Sequence, residues 1–379
     1  MRFLACLVAL ASATAFAQPH DHGHSHAPHT RAIEFPDVPG YQTLVVDLHM
    51  HTVFSDGAVW PSIRVQEATR DGLDVIATTE HLEYQPHEDD IPHPDRNRSF
   101  EIMQQAAASS ELIVIPGAEI TRSMPPGHAN ALFIQDANAL LIEDAEAAFR
   151  EAGRQGAFTF WNHPNWTSHR PSGLAEMTDM HRQLIADDLL HGIEVANEHT
   201  ISEEALAIAL EYDLTILGTS DIHGLVDWEF DIPEGGHRPV TLVFATDRTP
   251  AAFREGLEAG RTVVFFGHGL VGRAEHMQPL LDASLKVTSA EWTTDDSSVL
   301  AVTVENRSEA PLTLYPGGDM TFHSSMDVVT IPAHDHVTIE MKPGSRVARV
   351  AVPFRVLNAT TAPGEHPVWT LRAEAPAGE

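Results

Sequence analysis

Short apolar runs alternate with longer amphipathic stretches through most of the chain, and this alternation predicts a strand–helix repeat. Strands are predicted at 43–48, 74–79, 112–116, 129–134, 157–161, 192–196, 214–219 and 240–245. Helices are predicted near 61–71, 98–110, 143–154, 202–212 and 250–259. Pro61 suits a first helical turn, and Ser202 suits a helix start. Seven or eight βαβ units at this spacing predict a (β/α) barrel, complete or distorted.

The pattern changes near residue 284. Short alternating runs follow at 285–292, 298–305, 311–315, 327–331, 336–341, 346–352 and 367–373. Asp, Ser, Gly and Pro separate these runs, which is typical of a small antiparallel β-sandwich. We therefore expect an α/β barrel over 41–283 and a β-sandwich over 284–379. The second module is expected to serve packing or oligomerisation rather than binding.

The first seventeen residues have the pattern of a secretory signal peptide. Arg2 is the positive end, an apolar run follows, and Ala15-Phe16-Ala17 forms a cleavage site. The only cysteine, Cys6, lies inside this segment, so the mature chain would be indifferent to an oxidising compartment. The expected location is the periplasm of a Gram-negative bacterium, with secretion as the alternative. No other stretch predicts a membrane span.

Residues 18–40 are predicted to form a disordered, histidine-rich linker. Five histidines fall within 18–30, with Gly and Pro among them. Metal capture and an ordinary solvated linker are equally compatible with this composition.

The overall charge limits the partners. The 379 residues include 23 Lys+Arg and 54 Asp+Glu, which gives a formal net charge of −31. Such a chain repels polynucleotides and anionic membranes, so coating of nucleic acid is not expected. An anionic substrate would need local positive charge, which bound metal ions could supply.

Residues of the types that ligate metals fall at the same end of nearly every predicted barrel strand. They are His49, His51 and Asp56 after the first strand, Glu80 and His81 at the second, Glu119 at the third, His128 at the start of the fourth, His163 at the fifth, Glu194 and Asn197 at the sixth, and Asp221 and His223 at the seventh. His49 and His51 are two apart on a strand and point to one face. The carboxyl ends of barrel strands converge on one rim, so these side chains predict a metal site there.

The ordered motifs resemble the PHP (polymerase and histidinol phosphatase) superfamily of metal-dependent phosphoesterases. The matching pieces are Asp47-Leu-His-Met-His-Thr with Ser55-Asp-Gly, Thr79-Glu-His, Gly117-Ala-Glu-Ile-Thr, Gly127-His-Ala-Asn, Asn162-His-Pro and Gly218-Thr-Ser-Asp-Ile-His. The resemblance covers about residues 43–266 and implies a distorted (β/α)7-type barrel. With the signal peptide and the β-domain added, the chain looks like an exported phosphodiesterase branch.

The resemblance also implies a cluster of two to three divalent ions. It assigns His49, His51, Glu119 and Asp221 to the first ion, Glu119, His128 and His163 to the second, and Asp56, His81 and His223 to the third. Some relatives have histidine at the position of Asp56, which leaves the third ion open. Glu80, Glu194 and Asn197 are expected to orient the ligands from behind.

Imidazole and carboxylate ligands suit Zn²⁺, Mn²⁺ or Fe²⁺ better than Ca²⁺ or Mg²⁺. The expected mechanism is in-line attack on phosphorus by a hydroxide that bridges the metals. Asp221 is the candidate base and His199 the candidate acid. The candidate substrate contacts are Arg122, Trp166, His169 and Arg170.

The sequence is compatible with several functions. A phosphodiesterase acting on a small phosphoester is the leading hypothesis, and a phosphomonoesterase on the same metals is its rival. A non-catalytic periplasmic protein that handles metal is the second class. An amidohydrolase would share the barrel and metals, but the ligand order differs and the barrel region contains no lysine for carboxylation.

Overall fold

A computed structural model describes residues 31–91, 93–318, 320–324 and 328–376. The predicted signal peptide (1–17) and the histidines of 18–30 lie outside the described residues. The described chain from Arg31 onward forms one compact unit.

The described residues up to Ser284 form twelve strands. They are β1 (Gln42–Asp47), β2 (Val75–Ala77), β3 (Ile113–Ile115), β4 (Gly117–Ile120), β5 (Ala129–Leu132), β6 (Phe158–Trp161), β7 (Gly192–Asn197), β8 (Thr200–Ile201), β9 (Thr215–Thr219), β10 (Val240–Ala245), β11 (Thr262–Phe266) and β12 (Gly269–Gly272). The α-helices are α1 (Pro61–Arg70), α2 (Arg98–Ala107), α3 (Ala145–Arg154), α4 (Asp179–Ala186), α5 (Glu203–Glu211), α6 (Val226–Glu229), α7 (Pro250–Glu258) and α8 (Ala274–Ser284). Two 3-10 turns lie at Ala137–Leu140 and Ile232–Glu234.

Seven strands close into a distorted barrel in the order β1-β2-β4-β5-β6-β7-β9. Paired ladders join most neighbours, but two joints are single bridges: His81 with Glu119 between the β2 and β4 segments, and Met50 with Ile222 between the β1 and β9 segments. Parallel pairing dominates, as the sequence predicts. The expected fold class is confirmed.

The strand order differs from a regular βα repeat in three places. β5 runs antiparallel to both neighbours, β4 and β6. β10 pairs antiparallel with β1, and β11 and β12 extend the same sheet outward. The predicted third strand is split at Pro116, so β3 pairs with β2 while β4 begins the other half of the barrel. Proline cannot donate to a ladder, which suits this break.

The second part of the chain is a sandwich of two four-stranded antiparallel sheets, ordered β13-β14-β18-β16 and β17-β15-β19-β21. Its strands are β13 (Leu285–Trp292), β14 (Leu300–Asn306), β15 (Leu312–Pro316), β16 (Thr321–Phe322), β17 (Val329–Ile331), β18 (His336–Lys342), β19 (Arg349–Val356), β20 (Ala359–Thr360) and β21 (Val368–Glu374). Side chains along β14 and β19 alternate between buried and more exposed positions, as period-2 strands must when one face meets a core.

One strand of the sandwich part leaves its own domain. β20 pairs in parallel with β12, through Leu270 with Ala359 and Val271 with Thr360. The seven-stranded sheet that contains β1 therefore ends on a strand from the far end of the chain. The two domains are joined by shared backbone pairing as well as by the helix α8.

Residues 31–40 correct part of the linker prediction. Ile33 and Val38 are buried in the barrel core, and the N–H of Ile33 donates to the carbonyl of Asp71 at 2.9 Å. Arg31 forms salt bridges to Asp71 and Asp227. This segment is therefore packed rather than disordered, because Ile33 and Val38 belong to a buried apolar cluster and Asp71, the C-cap of α1, binds both Ile33 and Arg31.

Two α-helices longer than one turn were not predicted from the sequence. α4 begins at a Thr178 cap, and α8 contains Pro279 yet buries Met277, Leu280 and Leu281 against the sheet. Within the described residues, none of the helices has the length and apolar character needed to cross a bilayer.

Candidate metal centre

The first two candidate ligands lie in the segment that continues β1. His49 and His51 are both fully buried, and their Nε2 atoms are 3.1 Å apart. The strand itself is anchored by Asp47, whose carboxylate accepts the N–H of Ser220 at 3.1 Å and its hydroxyl at 2.5 Å. Since Ser220 precedes Asp221, Asp47 sets the position of a ligand from a different strand.

Glu119 lies at the centre of the group of candidate ligands. It is fully buried on β4, and its Oε2 lies 2.6 Å from Nδ1 of His81. Its Oε1 lies 2.9 Å from Nδ1 of His128 and 3.7 Å from Nε2 of His163. The start of β5 reaches this rim because β5 is antiparallel, which explains why His128 precedes its strand, whereas Glu119 lies within β4 and ligands such as His163 and Asp221 follow theirs.

Asp221 completes the group around His49 and His51. Its Oδ1 lies 3.1 Å from Nε2 of His49 and 3.0 Å from Nε2 of His51. Its Oδ2 lies 3.9 Å from Nε2 of His163. Asp221 and His163 adopt positive φ values of 48° and 29°, which few non-glycine residues do, so the backbone at both ligands is strained.

Asp56 joins a further set of imidazoles on the outer side. Its Oδ1 lies 3.2 Å from Nε2 of His223, and its Oδ2 lies 3.4 Å from Nε2 of His81. The rings of His81 and His223 both pack against His51, with centroids 4.4 and 4.3 Å away, and their own centroids are 6.4 Å apart. All nine predicted ligands therefore meet at one rim of the barrel.

Within the described residues, three groups have ligand atoms close enough to share an ion: His51, Asp56, His81 and His223; His49, His51 and Glu119; and His81, Glu119 and His128. They correspond in outline to the three sites that the resemblance implies, and they overlap through His51, His81 and Glu119.

The buried polar atoms of this cluster fit a set of cations. Five of them have no hydrogen bond of acceptable geometry although they are buried: Asp56 Oδ1, Glu119 Oε2, His128 Nδ1, His163 Nδ1 and Asp221 Oδ1. Buried polar atoms without a partner are costly, and so are two imidazole nitrogens facing each other at 3.1 Å. Divalent ions between these atoms remove both costs, and the donor set of imidazoles and carboxylates suits Zn²⁺, Mn²⁺ or Fe²⁺.

Mutual attraction shifts the titration of these groups. Burial alone would raise the pKa of Glu119, but the imidazoles of His81 and His128 hold it well below its usual range. Burial opposes protonation of His81, yet the charges of Glu119 and Asp56 raise its pKa to about 10. Burial lowers the pKa of His51 to about 4. The carboxylates are therefore ready to bind metal, and each bound ion must displace protons from imidazoles.

Two buried glutamates hold the ligands from behind. Glu194 accepts Nδ1–H of His49 at 2.8 Å and the backbone N–H of His163 at 2.6 Å. Asn197 donates to Glu194 at 2.9 Å and lies 3.3 Å from Asp221. Glu80 accepts from Ser55 at 2.6 Å, and the Ser55 hydroxyl lies 3.2 Å from Nδ1 of His51.

Both contacts leave the Nε2 atoms of His49 and His51 facing the cluster. A Ser55 hydroxyl that donates to Glu80 can only accept from His51, so Nδ1 of His51 carries the proton. Nδ1 of His49 likewise donates to the carboxylate of Glu194. The positions predicted for Glu80, Glu194 and Asn197 thus place them around the ligands rather than among them.

Two of the four proposed substrate contacts lie against the cluster. The ring of Trp166 is 5.2 Å from His163 and 5.5 Å from His128, and 43% of the residue is exposed. His169 packs edge-on against His128 at 4.7 Å. Tyr84 lies on the other side, 5.9 Å from His81, so aromatic rings flank the rim on two sides.

The structure does not bring the other predicted residues to the cluster in the same way. Arg122 is paired with Glu83 at 2.7 Å and donates to the carbonyl of Ile142, and Arg170 donates to the carbonyl of Glu176 at 2.6 Å. His199 is exposed, with its ring 5.1 Å from Phe230. These contacts engage the Nη atoms of both guanidinium groups locally, while Nε of Arg122 and of Arg170 is buried without a hydrogen-bond partner in the described residues.

Several residues around the site had no predicted role. Asn162 donates to Glu119 Oε1 at 2.9 Å, and Thr219 donates to Glu194 at 2.6 Å. Glu198 follows Asn197 directly, and burial and the charge of Asp221 raise its pKa. Asn162 and Thr219 each lie within two positions of a predicted ligand, which is the signal that points to them in the sequence.

One solved structure is similar to this chain over nearly its whole length. A two-domain protein from Bacteroides vulgatus, described as containing a PHP-like metal-dependent phosphoesterase, superposes with a TM-score of 0.85 and 38% identity, over 92% of this chain and 100% of that one. A protein from Bifidobacterium adolescentis, assigned as a metal-dependent phosphoesterase, aligns with a TM-score of 0.37 and 18% identity, over 48% of this chain and 89% of that one.

A family described as an Ig-like domain matches residues 285–372. The comparison with curated proteins gave no match. The chain therefore belongs to the PHP-like metal-dependent phosphoesterases, and within them to a two-domain type with a C-terminal Ig-like domain. The resemblance expected from the motifs is confirmed, and so is the assignment as a hydrolase of phosphoesters.

Proposed function

We propose that this protein is a phosphodiesterase that uses up to three divalent ions held at the rim of the barrel. The observation that carries the proposal is the convergence of nine candidate ligands at one rim, where five buried polar atoms lack a hydrogen bond and Asp56 and His223 remain partly exposed. A protein that only stores metal needs no such exposure of its ligands. Small-molecule phosphoesters are the proposed substrates.

Divalent ions bound there would supply positive charge to the phosphoryl oxygens and acidify water for in-line displacement. Glu119 holds the centre, because its two oxygens face different imidazoles. Asp221 remains a carboxylate because the imidazoles of His49 and His51 offset its burial and keep its pKa well below the usual range. That charge favours a ligand role for Asp221 over the base role expected from the sequence.

The preference for a diester rests on the charge of the rim. A phosphomonoester dianion calls for cationic side chains beyond the metals, but Arg122 and Arg170 are engaged by Glu83 and Glu176. A diester carries a single charge and two organic groups. Trp166 presents an exposed aromatic face for one of those groups beside His163.

We also propose export to the periplasm. The signal-like segment at 1–17 supports this, and no cysteine follows Cys6 in the sequence. Cell fractionation of the full-length chain, with a variant lacking residues 2–17 as the control, tests it. Export predicts activity in the periplasmic fraction for the full-length chain alone.

The test of function pairs metal analysis with two substrates. Purified protein is expected to contain bound Zn, Mn or Fe and to hydrolyse bis(p-nitrophenyl) phosphate faster than p-nitrophenyl phosphate. Glu119→Gln should lose both metal and turnover, whereas Glu111→Gln, on an exposed loop, should retain both. Faster hydrolysis of the monoester would reverse the preference, and bound metal without turnover of either substrate would favour a metal-handling protein.

A further inference from the structure

We infer that Arg64 is a positioning residue that holds together the two chain segments delivering His51 and His223, and through them sets the affinity for the outermost ion. The inference rests on the proposed function, since it concerns the same metal cluster. Arg64 belongs to α1 and contacts none of the ligand side chains through a recorded hydrogen bond. Arg64 positions the candidate ligands only through hydrogen bonds to the backbone of the two segments.

The seam between β1 and β9 is one of the two joints of the barrel that consist of a single bridge. β1 pairs with β10 and β2, and β9 pairs with β7, but the backbone pairing between the β1 and β9 segments in the described residues is the single bridge between Met50 and Ile222. Side-chain bonds from Ser220 to Asp47 and to the carbonyl of His49 lie before this bridge. The N–H of His51 donates to the carbonyl of Ile222 at 3.0 Å. His51 and His223 follow directly after this bridge, where no strand ladder fixes their spacing.

Arg64 spans this seam. Its side chain is fully buried, and Nε donates to the carbonyl of His51 at 2.9 Å. On the other side, Nη2 donates to the carbonyls of Ile222 and His223 at 3.1 and 2.9 Å, and Nη1 donates to that of Gly224 at 2.7 Å. One side chain thus bonds to backbone on both sides of the joint.

The fifth donor of Arg64 is also used. Nη1 donates to Glu67 at 2.7 Å, and the other oxygen of Glu67 accepts the N–H of Val226 at 3.0 Å. All five N–H donors of the planar guanidinium therefore have an acceptor. A lysine offers three donors from a single nitrogen and cannot reproduce it.

Loss of the Arg64 contacts should affect the three groups of candidate ligands unequally. His51 and His223 belong to the group with Asp56 and His81. The group of His81, Glu119 and His128 contains neither residue next to the seam. Loss of the Arg64 contacts should therefore weaken the ion shared by His51 and His223 most, weaken the ion at His49, His51 and Glu119 less because only His51 is affected there, and leave the ion at His81, Glu119 and His128 in place.

Metal titration of the full-length protein tests this. Apoprotein prepared by chelation is titrated with Zn²⁺ or Mn²⁺ in the wild type, Arg64→Lys and Arg64→Met, with circular dichroism and melting recorded before metal is added. The expected result is one ion bound about 10–100-fold more weakly, a loss of the size seen when residues behind metal ligands are removed. Turnover should recover at saturating metal, which a general folding defect would not allow.

Arg273→Met is the matched control. Arg273 also donates to two backbone carbonyls, those of Ala209 and Leu214, but at the opposite end of β9. It is expected to lower stability without changing metal affinity. In a His223→Ala background, Arg64→Lys should cause little further loss of metal affinity. In a His128→Ala background, Arg64→Lys should still lower that affinity.

The outcomes separate the two proposals. If the wild type binds no metal, the proposed function fails. If the wild type binds several ions and Arg64→Lys binds them equally tightly, the role of Arg64 is wrong. Should both Arg64 variants fail to fold, Glu67→Gln, which keeps the shape but removes the charge that pairs with Arg64, must weaken the same ion by a smaller factor. An unchanged affinity in Glu67→Gln then overturns the inference.

Discussion

Nδ1 of His49 donates a hydrogen bond to Oε1 of Glu194 at 2.8 Å, and both side chains are buried. The other oxygen of Glu194 accepts the backbone N–H of His163 at 2.6 Å. One carboxylate thus orients ligands from the first and fifth predicted barrel strands at once. Its negative charge also raises the pKa of His49, although burial acts in the opposite direction.

Glu194→Gln should therefore weaken metal binding without unfolding the protein. The amide keeps the size of the side chain but removes the charge and one acceptor, so we expect metal affinity to fall by about 10–100-fold. Equilibrium dialysis followed by metal analysis measures this. Glu203→Gln, at an exposed position in the first turn of α5, is the control and should bind as the wild type does. An unchanged affinity in Glu194→Gln would show that the imidazole of His49 is held by its packing alone.

Trp166→Ala should impair substrate binding and spare the metals. The indole lies beside His163 and His128 but contributes no metal-binding atom. Loss of a stacking surface worth about 0.5–1.5 kcal/mol predicts a rise in KM of about twofold to tenfold for diesters with an aromatic group. Steady-state kinetics on an aryl and an alkyl diester measure it, with Trp228→Ala, another exposed tryptophan, as the control. Equal effects on both substrates would argue against stacking.

His181 should make the protein sensitive to mild acid. Burial lowers the pKa of His181 to about 4, and the ring stacks on Trp161 with centroids 3.8 Å apart. Nε2–H donates to the carbonyl of Pro126 at 2.6 Å, while Nδ1 accepts the N–H of Thr178 at 3.2 Å. The neutral ring is therefore the form that fits the fold, because protonation would cost Nδ1 its role as acceptor.

The direction of the pH effect follows from this difference. Between about pH 6.5 and pH 4 the unfolded chain binds a proton at His181 that the folded chain does not, so stability falls as the pH is lowered through that range. The full contribution is roughly 3 kcal/mol for a shift of this size. Chemical denaturation of metal-free protein across this range measures it. His181→Gln should show a shallower dependence, and an identical slope would contradict the assignment.

Bound metal should stabilise the folded protein in a concentration-dependent way. Oε2 of Glu119 and Oδ1 of Asp221 lack a hydrogen bond in the folded chain. A metal ion would bind them there, because only folding brings the candidate ligands together. Metal at a thousand times its dissociation constant should add about 4 kcal/mol to the free energy of unfolding. Melting curves recorded at increasing Zn²⁺ or Mn²⁺ measure this, and Glu119→Gln should respond far less. A melting temperature that is independent of metal in the wild type would be incompatible with a folded-state metal site.

The ligand positions could be predicted from the sequence because they follow a topological rule. Strand ends of a parallel barrel share a rim, so His51, Glu119 and Asp221 could be placed together without coordinates. The rule does not require every strand to run the same way, since His128 reaches the rim at the start of the antiparallel β5. The order of the motifs was enough to predict the family, and the alternation of apolar and polar stretches was enough to predict the fold class.

What the sequence did not reveal depends on contacts made at a distance. Arg64 and Arg238 resemble ordinary surface arginines in the sequence, yet both are fully buried, and Arg238 pairs with Asp47 and Asp71. Conversely, Arg122 lies three residues after Glu119, but its guanidinium is engaged by Glu83. Side-chain length and flexibility let an arginine choose among several partners, and only the packed structure determines which partner it takes.

The pairing of β12 with β20 has a consequence for any attempt to isolate the catalytic domain. A chain cut after residue 284 would lose β20 and present the backbone donors and acceptors of β12 to solvent. An exposed edge of this kind is a template for strands from other molecules. β20 covers that edge in the two-domain chain. A truncated barrel should therefore precipitate or self-associate unless charged residues are introduced along Gly269–Gly272.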